Sequence, residues 1–323
     1  MKKQLFMAIC LTMTFFACKK ENANPRTDTN NVNNSNGKVY AVGFNLTGFT
    51  AETKGLSTNG TGKMRTAALS DVIKYFSYYV YKGDADSLKF VKKIDQASTD
   101  SDFGTIQDSL ANGHYTIFFV GSKSPDYYVS NSYVDVVEGT YHPALSFTDN
   151  KFGDTFAKKL EIDVTGPQTE SVVLKRIVGM ITFKLKDVIP NNMSKAVFTV
   201  LNAVPAYDLV AEGPAYNGAD SVGWDERVQT INVKQSDKGQ TNVEFSIFVW
   251  PHSGYQNPQL EAFDANNVLL GSKRIEDPQD MYSILDVQSN KQYIYTGYLF
   301  STQTSGFTAS VDSTWNAPQT IDF

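Results

Sequence analysis

The chain has 323 residues, 41% of them hydrophobic and 13% aromatic, and carries a net charge of −5. That is enough apolar material for a substantial core and enough length for about two domains. The acidic balance argues against a nucleic-acid partner, which would call for a basic patch or stripe.

Taken from the start, Met1-Lys2-Lys3 is a basic n-region, and Leu5 to Phe16 is an apolar h-region. That run is too short to span a bilayer core of roughly 30 Å as a helix. Phe15-Phe16-Ala17-Cys18 then supplies the small residue before cysteine that lipoprotein signal peptidase needs. The run resembles a lipobox, with Phe15 standing where most carry Leu. Cleavage after Ala17 would leave Cys18 as the first residue, acylated with palmitate-like chains. Cys10, the other cysteine, would go with the signal, so no disulfide can form. The bland alternative is an ordinary secretory signal with a chance cysteine. One acyl chain binds a membrane only marginally, at roughly 0.8 kcal/mol per methylene, but several together hold firmly. A membrane partner is therefore expected through Cys18.

Lys19 to Lys38 is Asn-rich and poor in apolar residues, which reads as a flexible tether. Order is expected from Val39, where Tyr40, Val42, Phe44 and Leu46 alternate as in a half-buried strand. Thr50 to Thr66 is a polar, Gly-rich loop. Leu69 to Tyr81 opens as a turn and becomes a strand with Phe76, Tyr78 and Val80 on one face, returning over Ser87 to Ile94. Phe103 to Leu110 is read as a short helix ending at Asn112-Gly113. His114 to Val120 is a nearly continuous apolar strand, suited to a sandwich centre. Lys158 to Val164 follows, and then Ser171 to Leu185, which suggests two strands or one bent at Gly179.

Further strands are expected over Lys195–Leu201, Val228–Val233, Thr241–Trp250, Gln259–Phe263, Val268–Lys273 and Gln292–Phe300. Asp237-Lys238-Gly239 and Asp264 to Asn267 read as hairpin turns. Nothing shows sustained helical periodicity. The fold class is all-β, in two β-sandwich domains. The expected divisions are 1–17 (signal peptide), 18–38 (tether), 39–167 and 168–323.

Three runs carry a family resemblance. Phe103-Gly104-Thr105-Ile106 leads to Leu110, Gly113 and Tyr115. Val173 to Met180, with Arg176 inside it, leads to Asp187 and Pro190. The ending runs from Tyr293 to Phe300 and on to Trp315 and Phe323. These resemble the fimbrillin superfamily of Bacteroidota, most of all its FimB-type anchoring or minor subunits. The resemblance implies two transthyretin-like sandwiches, assembly into a type V pilus by β-strand addition, and adhesion at the outer membrane. Other fimbrial subunits and a host or surface ligand would be the partners. In polymerising relatives a trypsin-like protease cuts in the loop after the first strand, which makes Arg65 of Lys63-Met64-Arg65 the candidate processing site. An anchor would keep that strand attached to Cys18.

Catalytic signals are lacking, with no GxSxG elbow, HExxH or phosphate loop, so no enzyme and no cofactor are expected. His114 and His252 read as structural or surface histidines. Asp220, Asp225 and Glu226 around Trp224 could hold Ca²⁺, but the spacing matches no established loop and a solvated acidic loop is the simpler reading. Trp224, Trp315, Tyr127 and Tyr128 could stack on sugars, although aromatics in sandwich strands more often fill cores. They support the alternative of a surface glycan-binding lipoprotein beside an outer-membrane transporter.

Overall fold

The structure, a computed structural model, describes residues 37–50, 68–84, 87–134, 141–215, 225–252, 257–275, 287–301 and 307–312. One short helix, α1 (Leu69–Val72), is accompanied by strands throughout, as expected of an all-β chain. The first group is β1 (Val39–Thr50), β2 (Tyr75–Lys82), β3 (Lys89–Ala97), β4 (Thr105–Ala111) and β5 (Gly113–Ser122). Next come β6 (Tyr127–Val134), β7 (Tyr141–Phe147), β8 (Thr155–Val164) and β9 (Gln168–Arg176). Then follow β10 (Gly179–Leu185), β11 (Met193–Ala203), β12 (Ala206–Asp208), β13 (Gly213–Ala215) and β14 (Asp225–Asn232). The last are β15 (Val243–Val249), β16 (Pro258–Asp264), β17 (Leu269–Arg274), β18 (Gln292–Gly297) and β19 (Thr308–Asp312).

Seven strands form one sheet in the order β3-β2-β5-β8-β9-β1-β4. It folds over at β8–β9, where only Phe156↔Arg176 and Ala157↔Lys175 pair. Its two end strands then come within side-chain reach. The Lys92 ammonium on β3 meets Asp108 on β4 at 2.5 Å, and Gln96 Nε2 donates to the Thr105 carbonyl at 2.9 Å. Inside this wrap lies one apolar core, built on Val42, Phe44, Phe76, Tyr78, Ile117, Phe119 and Leu174.

β2 and β5 are buried on both faces, which explains their nearly unbroken apolar sequence. Phe76, Tyr78, Val80, Ile117 and Phe119 face the first core. Tyr79, Tyr81, Phe118 and Val120 face a second one. That second core is a junction. It also takes Leu145, Phe147 and Phe152, Ile177, Val178 and Met180, Tyr207 and Leu209, and Phe248 and Trp250. Over it lies a small sheet in the order β13-β12-β7-β6, which draws two strands from each half of the chain. A third core fills the C-terminal sandwich between sheets β15-β10-β18-β19 and β14-β11-β16-β17.

Three expectations need correcting. Phe103–Leu110 is not a helix, because Thr105–Ala111 is strand β4. Ile106 and Leu110 are four apart, a spacing that puts both on one face of a helix and, being even, equally on one face of a strand. Gly104, at φ +85°, turns the chain into it, and a Cβ there would meet Leu69 Cδ2 at 2.3 Å. Asp237 to Gly239 is a turn but not a hairpin, since β14 and β15 belong to opposite sheets. Surface aromatic character fails for Tyr127, whose ring is largely buried, with its hydroxyl 2.7 Å from Ser77.

The long apolar run does resolve into two strands, β9 and β10. Gly179 marks the change, because a Cβ there would lie 2.5 Å from Val287 Cγ1 and 2.8 Å from the Gln288 carbonyl oxygen. The division expected near Gly166-Pro167 falls between β8 and β9, neighbours in one sheet; the chain leaves that sheet between Arg176 and Gly179. No described helix is long and apolar enough to cross a membrane.

Candidate functional site

β1 occupies a slot between two strands. It pairs antiparallel with β4 from Val39↔Ala111 to Asn45↔Thr105, and parallel with β9 from Val42↔Gln168 to Thr50↔Lys175. A bulge interrupts the β9 pairing between Leu46 and Gly48. Both backbone edges of β1 are thus satisfied. Its alternation turns Val42 and Phe44 inward, each 1% exposed. Phe44 lies 5.4 Å from Tyr78 and 5.3 Å from Phe119, centroid to centroid. Burying two such side chains contributes about 1.5–3 kcal/mol each. Withdrawing β1 would bare the edges of β4 and β9 and leave an apolar trough, the geometry that β-strand addition fills.

The slot is braced by the buried polar groups at its far end. Arg176, the last residue of β9, donates from Nε to Asp154 Oδ1 at 2.7 Å and from NH2 to Asp154 Oδ2 at 2.9 Å. Its NH1 reaches Asn290 Oδ1 at 2.8 Å, so one guanidinium ties β9 and the lead into β8 to the loop before β18. The group also lies 4.9 Å from the Phe156 ring centroid. A second tie, His142 Nδ1 to Asp208 Oδ2 at 2.7 Å, joins β7 to β12 across the shared sheet. Asp208 Oδ1 accepts from the backbone N–H groups of Val210 and Ala211 as well. A lone arginine in the apolar run VVLKRIV is the sequence signal that a buried acidic partner must exist; nothing local pointed to His142.

The residues singled out in the sequence fare differently. Ala17, Cys18, Arg65, Asp220, Trp224 and Trp315 lie outside the described residues, as does the side chain of Asp225, and Glu226 is exposed. Tyr128 is exposed and stands apart from Tyr127, on the other face of β6. His114 sits on the surface beside Asp163 at 2.8 Å. His252 is buried, its backbone paired with Val287. No group of three or more His, Cys, Asp or Glu side chains suited to a metal ion occurs among the described residues.

No protein-family model and no curated protein matches the chain. Among solved structures it is similar to a candidate adhesin from Bacteroides ovatus, at 13% identity and TM-score 0.45, over 88% of this chain and 95% of that one. It is similar to the tip fimbrial protein Mfa3 from Porphyromonas gingivalis, with C-terminal truncation, at 13% identity and TM-score 0.37 over 85% and 99%. The fimbrial anchor protein Mfa2 from Porphyromonas gingivalis matches at 11% identity and TM-score 0.40 over 80% and 91%. At such identities and TM-scores the likeness is a loose one.

Proposed function

We propose that the chain is a lipid-anchored fimbrial subunit of the bacterial outer-membrane surface, acting in adhesion as an anchor or minor subunit rather than as an enzyme. The observation that carries this reading is the position of β1. It is an interior strand, paired on both edges, and the segment running back to Cys18 joins it directly. A pull from a membrane anchor at Cys18 would act along β1. The hydrogen bonds to β4 and β9 run across the strand, so they would be loaded together in shear. The same residues give a subunit cut at Arg65 the means to release its first strand and accept another, by strand addition from a neighbouring subunit. An anchor must keep β1, because losing it would separate the fold from the lipid.

The mechanical unit is the pair of sandwiches, which we divide between Arg176 and Gly179. The junction core and the Arg176–Asp154–Asn290 tie support treating the two halves as coupled, so that load entering at β1 reaches the C-terminal strands.

N-terminal sequencing of protein recovered from sheared fimbriae and from membranes tests the reading. An acylated Cys18 at the start, labelled by a palmitate analogue and lost in Cys18→Ala, is the expected result. A mature start at Thr66 would overturn the anchor role in favour of a shaft or tip subunit. Wild-type protein that reaches the membrane without label would overturn lipid attachment.

A further inference from the structure

Beside the junction core, at the open edge of the large sheet, lies a polar cavity of about 140 Å³ lined by β2, β3 and the segment before β6. At roughly 30 Å³ per water this is room for four or five waters, so it can seat part of one sugar ring at its open mouth and not a chain. Its floor follows from register. Ser77 stands opposite Asp95, and Tyr79 opposite Lys93, so these four side chains share one face. Ser77 Oγ donates to Asp95 Oδ1 at 2.5 Å and meets the Tyr127 hydroxyl at 2.7 Å. Lys93 Nζ holds Asp95 Oδ2 at 2.9 Å and lies 5.1 Å from the Tyr79 ring centroid. Pro125 and Tyr75 supply apolar wall.

These groups keep capacity in reserve. A carboxylate offers about four lone-pair sites and an ammonium three donors, and each has committed only some of them here. Gln96 is different, because its amide is spent on holding the Asp102–Thr105 turn. A paired carboxylate and ammonium at the rim suit adjacent hydroxyls, one donating to Asp95 and the next accepting from Lys93. The apolar wall takes the C–H face of a ring. Few, placed polar groups on a partly apolar lining are the features of a small-molecule site.

We propose that this cavity binds a single neutral pyranose unit, with Asp95 and Lys93 holding vicinal hydroxyls and Ser77 and Tyr127 forming the floor. The site involves neither β1 nor Cys18 and stands independently of the anchoring role. It differs from exposed aromatic platforms, since Tyr128 takes no part.

Saturation-transfer NMR on the full chain in zwitterionic detergent, with the methyl pyranosides of glucose, galactose, mannose, fucose and N-acetylglucosamine, tests it. Saturable binding of at least one is expected, weakened about tenfold or more by Asp95→Asn and by Lys93→Met, as for hydrogen bonds to charged groups. Tyr128→Ala should leave it unchanged. Asp95 and Lys93 are 58% and 35% exposed at the side chain, so both variants should fold, which thermal melts will check. Absence of saturable binding to every pyranoside would overturn the proposal. So would binding that survives both variants intact, or binding lost in Tyr128→Ala.

Discussion

Phe183, at the centre of the C-terminal sandwich, has Phe198, Tyr295 and Phe307 around it at centroid distances of 5.3 to 5.6 Å. Trp250, at the junction, has Phe147, Phe152 and Tyr207 around it at 5.1 to 5.7 Å. As apolar clusters the two are alike. They part over charge. The sandwich core is built on apolar side chains, with buried Gln229 sharing the inner face of β14 with Ile231. The junction is ringed by the buried Arg176–Asp154 pair, the buried His142–Asp208 pair, and Arg227, whose guanidinium lies 3.9 Å from the Phe152 ring centroid. The sandwich also pairs strands far apart in sequence, β10 with β15 and β18 and β11 with β16, and its register follows from alternation across the buried face. At the junction, buried directional polar pairs add to that alignment, at a cost in desolvation.

The largest expected effects test that division. Arg176→Met should lower unfolding stability by about 3–5 kcal/mol, because it strands the Asp154 carboxylate in the interior. Phe183→Ala should cost a similar amount, about 3–5 kcal/mol, through the cavity it leaves. The second changes separate them. Adding Asp154→Leu to Arg176→Met should recover most of the loss, since an apolar pair of similar volume replaces the ion pair. Adding Phe198→Ala to Phe183→Ala should deepen it. Urea unfolding of the five proteins reads this directly, and a failure of Asp154→Leu to restore stability would show that the junction needs the pair itself.

A middle-sized effect concerns alkaline pH. Burial, the largest cause, raises the Tyr79, Tyr127 and Tyr207 hydroxyls at the junction well above the usual phenol value, and Tyr295 in the sandwich to about 12. Nearby carboxylates add to this for Tyr207, through Glu212 and Asp208. A raised phenol keeps its proton in the fold while the unfolded chain loses it. The unfolded state then binds fewer protons, so stability is whole below about pH 10 and falls as pH rises through the folded values. Tyr207→Phe should flatten that decline, because phenylalanine has no proton to lose. Urea midpoints measured from pH 8 to 11.5 check it. An unchanged slope would place the alkaline sensitivity elsewhere.

The same contrast decides what could be read from sequence. Strands of the C-terminal sandwich carry their own alternation and turn residues, and β16–β17, with its turn at Asp264 to Asn267, lies where it was expected. The small sheet was not foreseen at all. β12 and β13 are three residues each, too short for a periodic signal. β6 and β7 become strands by pairing with each other and with β12, far along the chain. The candidate pyranose cavity is likewise a product of register, bringing Ser77 to Asp95 and Tyr79 to Lys93. What pairing across distance creates, local pattern cannot announce.

The smallest effect isolates burial from chemistry. Lys184 and Glu244 face each other across β10 and β15, with Nζ to Oε1 at 2.8 Å. Their distance matches that of Arg176 to Asp154, and both pairs join neighbouring segments. The difference is water, because the Lys184 and Glu244 side chains are 36% and 44% exposed, against 2% and 0% for the junction pair. An exposed pair gains little attraction in water and loses side-chain freedom in forming, so it contributes about 0–1 kcal/mol. Glu244→Gln should therefore shift unfolding by less than about 1 kcal/mol, and by less again in 1 M NaCl, where screening acts over about 3 Å. Arg176→Met should cost nearly as much in that salt as without it, since its partner is out of reach of mobile ions. If the exposed pair proved as costly to break as the buried one, desolvation would not be what distinguishes the junction from the sandwich.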